Sequence, residues 1–474
     1  MRSRLSDKFV ILVAVFGLVL AQAPKLFGST TSARALALLP FLCAIAFTSA
    51  EVTRPRYHPP RWMLGALWLY LAVLSVMIMR AVGVDSSIAT TRSAALVCLQ
   101  FVILAWFAYR LIAAARNETE RWKRLVAIAL APAVYVAFNL LIMKVKLPLI
   151  TVPPQATGPA NGTPATYLGA LGVHATRSNL PLASGVNGSG AISAAGFAAA
   201  ALLALRARRP RKRLTVSAAL LCAYATLMSD SHAALIIAVG IVGLFAVLPR
   251  ARRFSGVALI AVLSPAIVVL SVGLISALGV GFLGRGGGEG VSTVNDRVRI
   301  WKAAWTAVDD ADAYHLLVGY GAYGQVTSGA SRGYAGLFEG VTPEPLHNTV
   351  HDLTLQTLLD GGVIAVIALL LLGIAVFTSL GRATARGPSP PIQALLAILV
   401  VLLLNGATEA LPSYQFAESL NQVLLVAGAA IALAPIAVQE PRRRRASSSH
   451  VESQATGRLV SVRQTNPDRP VAMG

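Results

Sequence analysis

The chain has 474 residues, 55% hydrophobic and only 13% charged, with a net charge of +21 and a mean hydropathy of +0.66. So little charge excludes an ordinary soluble domain, which carries roughly twice as much. The basic residues sit as clusters beside apolar runs, not as a stripe on one face, so nucleic-acid binding does not explain the positive balance.

In chain order, the apolar runs predict about twelve membrane-spanning helices, at roughly 9–23, 33–50, 62–80, 93–114, 124–143, 190–205, 214–228, 231–249, 256–280, 353–380, 391–411 and 419–438. A span needs about 20 apolar residues, so the sixth and seventh are short. Gly190, Ala194, Ala195 and Ala199 in the sixth suit close helix packing in lipid. The first run ends at Gln22-Ala23-Pro24, a poor cleavage site, and reads as a retained span. Cys43, Cys98 and Cys222 all lie in apolar runs, with no disulfide or metal-ligand spacing.

Arginine and lysine crowd into every second connection, for example Arg54/Arg56/Arg61, Arg116/Arg121/Lys123/Arg124 and Arg206–Arg213. Positive charge gathers on the cytoplasmic side. Both termini are therefore expected in the cytoplasm, with a multi-pass protein in a bacterial inner membrane. The organisation follows as spans one to five over 1–143, a first outer loop over 144–189 and spans six to nine over 190–283. A large outer loop over 284–352, spans ten to twelve over 353–438 and a disordered basic tail over 439–474 complete it.

The first outer loop is proline-rich and then reaches Arg177 and Asn187. The second opens with Gly284-Arg285-Gly286-Gly287-Gly288, which lacks the Gly-Lys-Ser/Thr of a phosphate-cradling loop and reads as a hinge. A helix follows, with Val294, Val298, Trp301, Trp305 and Val308 on one face, the pattern of a helix lying in the membrane interface. Arg297, Arg299 and Lys302 ride on it. Arg297 and Arg299 point roughly 200° apart, so at most one faces a common site. Gly319-Tyr320-Gly321-Ala322-Tyr323-Gly324 reads as a flexible, aromatic-lined segment. The loop closes on Pro345-Leu346-His347-Asn348-Thr349-Val350-His351-Asp352, running into the tenth span. Proline suits a first helical turn, which predicts His347 and His351 one turn apart on a single helical face. A helix N-terminus holds such histidines neutral and able to accept a proton.

His351-Asp352, nine residues and then Gly362-Val363-Ile364 resemble the O-antigen ligase superfamily, as do Leu355, Gln356, Leu358, Leu359 and Asp360. Arg297 with Trp301 ahead of Gly319-Tyr320-Gly321, and Arg177 ahead of Asn187, are similar to further motifs of that family. The resemblance covers roughly residues 170–380. Asp352 stands where the family has Asn, and His347-Asn348 offers a second His-Asn pair. At Ser229-Asp230-Ser231-His232 the family often has Ser-Arg, and here His232 stands in place of the arginine.

The resemblance implies an all-α, GT-C-like integral membrane enzyme. It would transfer a glycan from a polyprenyl-diphosphate-linked oligosaccharide to the hydroxyl of a glycan or lipid acceptor, outside the inner membrane and among membrane lipids. Arg177 and Arg297, then Arg285 and Arg299, are the candidates for gripping the diphosphate. His351 or His347, beside Asp352, is the candidate base for the acceptor hydroxyl. Diphosphate is a good leaving group, and Asp309-Asp310-x-Asp312 reads as a solvated helix end rather than a cation site. Inverting transfer without metal or cofactor is expected. A polymerase of the same superfamily shares every one of these features. A twelve-span secondary transporter or a lipid flippase is the reading from another class, with Glu409 and Glu418 as the residues a transporter would use.

Overall fold

The computed structural model describes residues 2–51, 59–145, 172, 177–207, 209–247, 260–267, 294–339, 344–384 and 389–434. The first outer loop lies largely outside the described residues. So do most of the ninth span, Arg285 with its glycine-rich neighbours, and the C-terminal tail. Among the described residues the chain is helical throughout, with no β-strand.

Helices α1 (Arg2–Val15) and α2 (Gly17–Gln22) replace the straight first span. With the short turn to Phe27 they form a pair bent by 60°. There follow α3 (Thr31–Glu51), α4 (Arg61–Arg80), α5 (Thr91–Ala113), α6 (Glu118–Val145) and α7 (Gly185–Leu205). Next come α8 (Arg209–Ser229), α9 (His232–Val247), α10 (Val294–Asp309), α11 (Ala313–Val318), α12 (Leu353–Thr384) and α13 (Pro390–Asn405). The closing helix α14 spans Tyr414–Ala434. Among the described residues, seven helices are long and apolar enough to cross a membrane, or eight with the bent pair; α9 and α13 are shorter apolar helices. The chain is thus a multi-pass membrane protein, because helices of this length and apolarity satisfy their own backbone polar groups inside hydrocarbon.

The centre is α7, α13 and α14, whose alanines and leucines are almost all buried. Small residues explain the closeness. A Cβ on Gly196 would meet Cys222 Sγ at 2.9 Å, and one on Gly428 would meet the Ala105 carbonyl at 2.2 Å. Helices in lipid associate through such packing rather than through a hydrophobic drive.

Each end of the bundle carries its own polar ties. At one end Arg124, fully buried, donates to the Leu111 carbonyl at 2.7 Å and to Asp7 at 3.1 Å, and pairs with Glu120. That arginine therefore staples α1, α5 and α6 together rather than anchoring a headgroup. At the other end Glu418 accepts hydrogen bonds from Ser184 N at 3.1 Å and Ser184 Oγ at 3.0 Å, with Lys25 at 3.9 Å.

The apolar face of α10 is covered by protein. Trp301 of α10 is 5% exposed and packs with Ile300, Ala304, Tyr334, Phe338, Val350, Leu355 and Leu359. The tryptophan-bearing face predicted to meet lipid is instead the core of a small lobe seated on α12. Helical period alone does not tell a lipid partner from a protein one.

The Gly-x-Gly segment is docked rather than free. Helix α12 breaks at Gly362, whose φ of 65° removes it from helical geometry. The break frees the carbonyls of Leu359 and Asp360. They accept from Tyr320 N at 2.8 Å and Gly321 N at 2.9 Å. A Cβ on Gly319 would lie 2.4 Å from Gly361 N, so only glycine permits this approach.

Candidate functional site

The stretch from His347 to His351 is not helical. Pro345–His347 is a single 3₁₀ turn, after which the chain runs extended at Asn348. His351 sits at φ 53°, in the left-handed region, and α12 starts two residues later. The expectation of two histidines on one helical face is thereby corrected. The reason is Asp352. Its Oδ1 accepts from Leu355 N at 2.9 Å, so the carboxylate caps α12 and the helix cannot extend back to the histidines. Asp352 is fully buried. Burial pushes its pKa up to about 8, against the lowering by backbone donors of Leu355 and Thr354. Burial thus favours its uncharged form, which resembles the Asn that the family has at this place.

Neighbouring elements clamp the strap that carries His351. Gln325 Nε2 donates to His347 O at 3.2 Å, and Tyr334 Oη to Asn348 O at 2.8 Å. Trp301 Nε1 donates to Val350 O at 2.9 Å, while Val350 N donates to Gln356 Oε1 at 3.1 Å. The Phe338 ring stacks on the His351 imidazole, 5.9 Å between centroids and 24° between planes. Such support fixes a side chain before a substrate arrives.

The decisive partner comes from the turn between α13 and α14. Leu353 N donates to Gly406 O at 2.9 Å, drawing that turn against the start of α12. Glu409, with its side chain 7% exposed, then lies 2.7 Å from His351 Nδ1 and 2.8 Å from Arg297 Nη2. Arg297 Nη1 also donates to Thr408 O. Burial raises the Glu409 pKa, but His351 and Arg297 together outweigh it and leave the carboxyl below its usual value. Glu409 is thus ionised. One carboxylate joins a cation from α10 to an imidazole ahead of α12.

Arg297 and His351, two of the residues singled out from sequence, are brought together. Arg299, two positions further on, is exposed. Arg177 is held elsewhere, its Nε donating to Ser229 O at 3.3 Å, beside the α8–α9 turn. His347 faces Glu344 through Nδ1 and packs against Tyr323, with 5.4 Å between ring centroids. Glu409 was legible only as a transporter acid. The available signal was physical: a lone carboxylate in an apolar turn needs cationic or N–H partners.

The O-antigen ligase family model matches residues 217–370, which include the lobe, Arg297, His351 and the broken first half of α12. Residues 217–370 are thus similar to the O-antigen ligase family. The match supports a relationship to the O-antigen ligase superfamily over that part of the chain. Glu409 and Arg177 both lie outside the matched domain. A comparison with curated proteins finds no match to this chain.

Proposed function

We propose that this protein transfers a glycan from a polyprenyl-diphosphate donor to an acceptor hydroxyl at the outer face of the inner membrane. The transfer inverts the anomeric centre and uses no metal at the reacting atoms. Twelve spans in a GT-C-like arrangement with cytoplasmic termini complete the reading.

The observation that carries it is the Arg297–Glu409–His351 group. Glu409, ionised and already matched by Arg297, favours the His351 tautomer with the proton on Nδ1. Nε2 is then the basic nitrogen. It takes the acceptor hydroxyl proton as that oxygen attacks the anomeric carbon and the bond to the diphosphate breaks. The leaving diphosphate gathers negative charge. Two of the five N–H donors of Arg297 serve Thr408 and Glu409, and the others are available to that charge. Arg177 is a second candidate for the diphosphate. An apolar cavity along α12, lined by Val262, Pro265, Leu353, Thr354, Phe377 and Leu403, begins two residues from His351 and suits a prenyl chain.

The transporter reading loses its residues, because Glu409 and Glu418 are both spent on fixed partners near one end of the bundle. The test is reconstitution of the purified protein with a lipid-linked repeat unit and a separate acceptor. A capped acceptor supports ligase action. A lengthening ladder makes the protein a polymerase, and absence of any transfer overturns the proposal.

A further inference from the structure

A second cluster lies at the start of the strap, and the transfer chemistry does not use it. Asp85, Glu344 and His347 come from two parts of the chain far apart in sequence, yet one ligand atom of each lies within 4.8 Å of the others. A first-row divalent ion with bonds of about 2.0–2.2 Å holds its ligand atoms roughly 3–4.4 Å apart, so the spacing fits with small adjustment. The three side chains are also oriented. Asp85 accepts from Ser87 N at 2.7 Å, which fixes its carboxylate ahead of the short turn Ser86–Ile88. The His347 backbone is pinned at both ends, N to Glu344 O at 3.0 Å and O by Gln325. The Tyr323 ring packs against His347 and, at 5.9 Å, against Tyr414, which itself bonds Ser87 Oγ at 2.9 Å. Outer supports of this kind accompany metal ligands.

We infer that Asp85, Glu344 and His347 form a divalent-cation site that ties the strap bearing His351 to the turn between α4 and α5. The donor set is two carboxylates and one imidazole. It suits Zn²⁺ better than Ca²⁺ or Mg²⁺, which favour all-oxygen shells. Glu344 is exposed, so an ion enters from solvent, and water completes the coordination. The ion sits at the foot of the strap, not at the reacting atoms. Its effect on transfer would pass through the position of His351.

The experiment is zinc titration of the full-length protein in detergent, followed by calorimetry and by metal analysis after dialysis. The wild type is expected to retain one Zn²⁺ per chain. Asp85→Asn and Glu344→Gln are each expected to weaken binding at least tenfold. Glu344 is exposed, so its replacement leaves folding intact. The His315→Ala variant removes another histidine–carboxylate pair, His315–Asp312 at 2.9 Å, and is expected to bind like the wild type. Hydrogen exchange of residues 344–351 should slow on adding Zn²⁺ in the wild type alone. No retained zinc, or equal binding by Glu344→Gln, overturns the site. Both readouts are independent of transfer, so failure here is separate from failure of the proposed reaction.

Discussion

Two arginine–carboxylate groups at opposite ends of the bundle use similar chemistry for different ends. Arg124 is completely buried, its guanidinium shared among Asp7, Glu120 and a backbone carbonyl. Arg297 also holds a buried glutamate, but its side chain is 21% exposed and that of the adjoining His351 is 18% exposed. Both groups are paired well enough to persist in an apolar protein. In the first group the cation is sealed and only its carboxylates reach the surface, whereas in the second both the cation and the imidazole are partly exposed. Access, rather than the presence of charge, separates a staple from a site.

Four substitutions sharpen that contrast. His351→Ala should lower the transfer rate by about 10²–10⁴-fold, the usual worth of a general base, with a fall in melting temperature smaller than that of Arg124→Ala because Arg297 still pairs Glu409. Arg124→Ala should do the opposite. Removing one partner of a buried ion pair costs about 3 kcal/mol, seen as a large fall in melting temperature with the specific activity of the folded fraction retained. Glu409→Gln keeps a hydrogen-bond acceptor but loses the charge. Its kcat should drop by about 10–100-fold with a smaller change in KM, a split that a purely structural role would not give.

Asp352→Asn should have the smallest effect. Asn caps a helix as well as Asp does. The raised pKa of Asp352 makes the folded state hold a proton that the unfolded chain releases above about pH 4. Wild-type stability is then highest below that pH and falls as pH rises toward 8. Melting curves between pH 4 and 8 should show this decline in the wild type and a shallower one in the Asn variant.

How much of this was legible in the sequence depends on what sets each feature. The helices were legible because lipid imposes both length and apolarity, and Thr91–Ala113 and Leu353–Thr384 lie close to their expected bounds. His351 and Arg297 were legible from residue type, order and resemblance. The shape of the strap was not. Pro345 signals a helical turn, but the cap at Asp352 starts α12 later and puts His351 outside it. Trp301 and Trp305 gave the right helix and the wrong partner, since a lobe core and a bilayer ask for the same periodicity. Glu409 lies 58 residues from His351 in sequence, and only the hydrogen bond from Leu353 to Gly406 brings its turn into place.

The central claim is that Glu409 acts through His351, and a double-mutant cycle on transfer from a lipid-linked oligosaccharide tests it most directly. The account predicts that Glu409→Gln added to His351→Ala lowers the rate no further than His351→Ala alone. Multiplying losses, with the double variant slower by the full Glu409 factor, would contradict it.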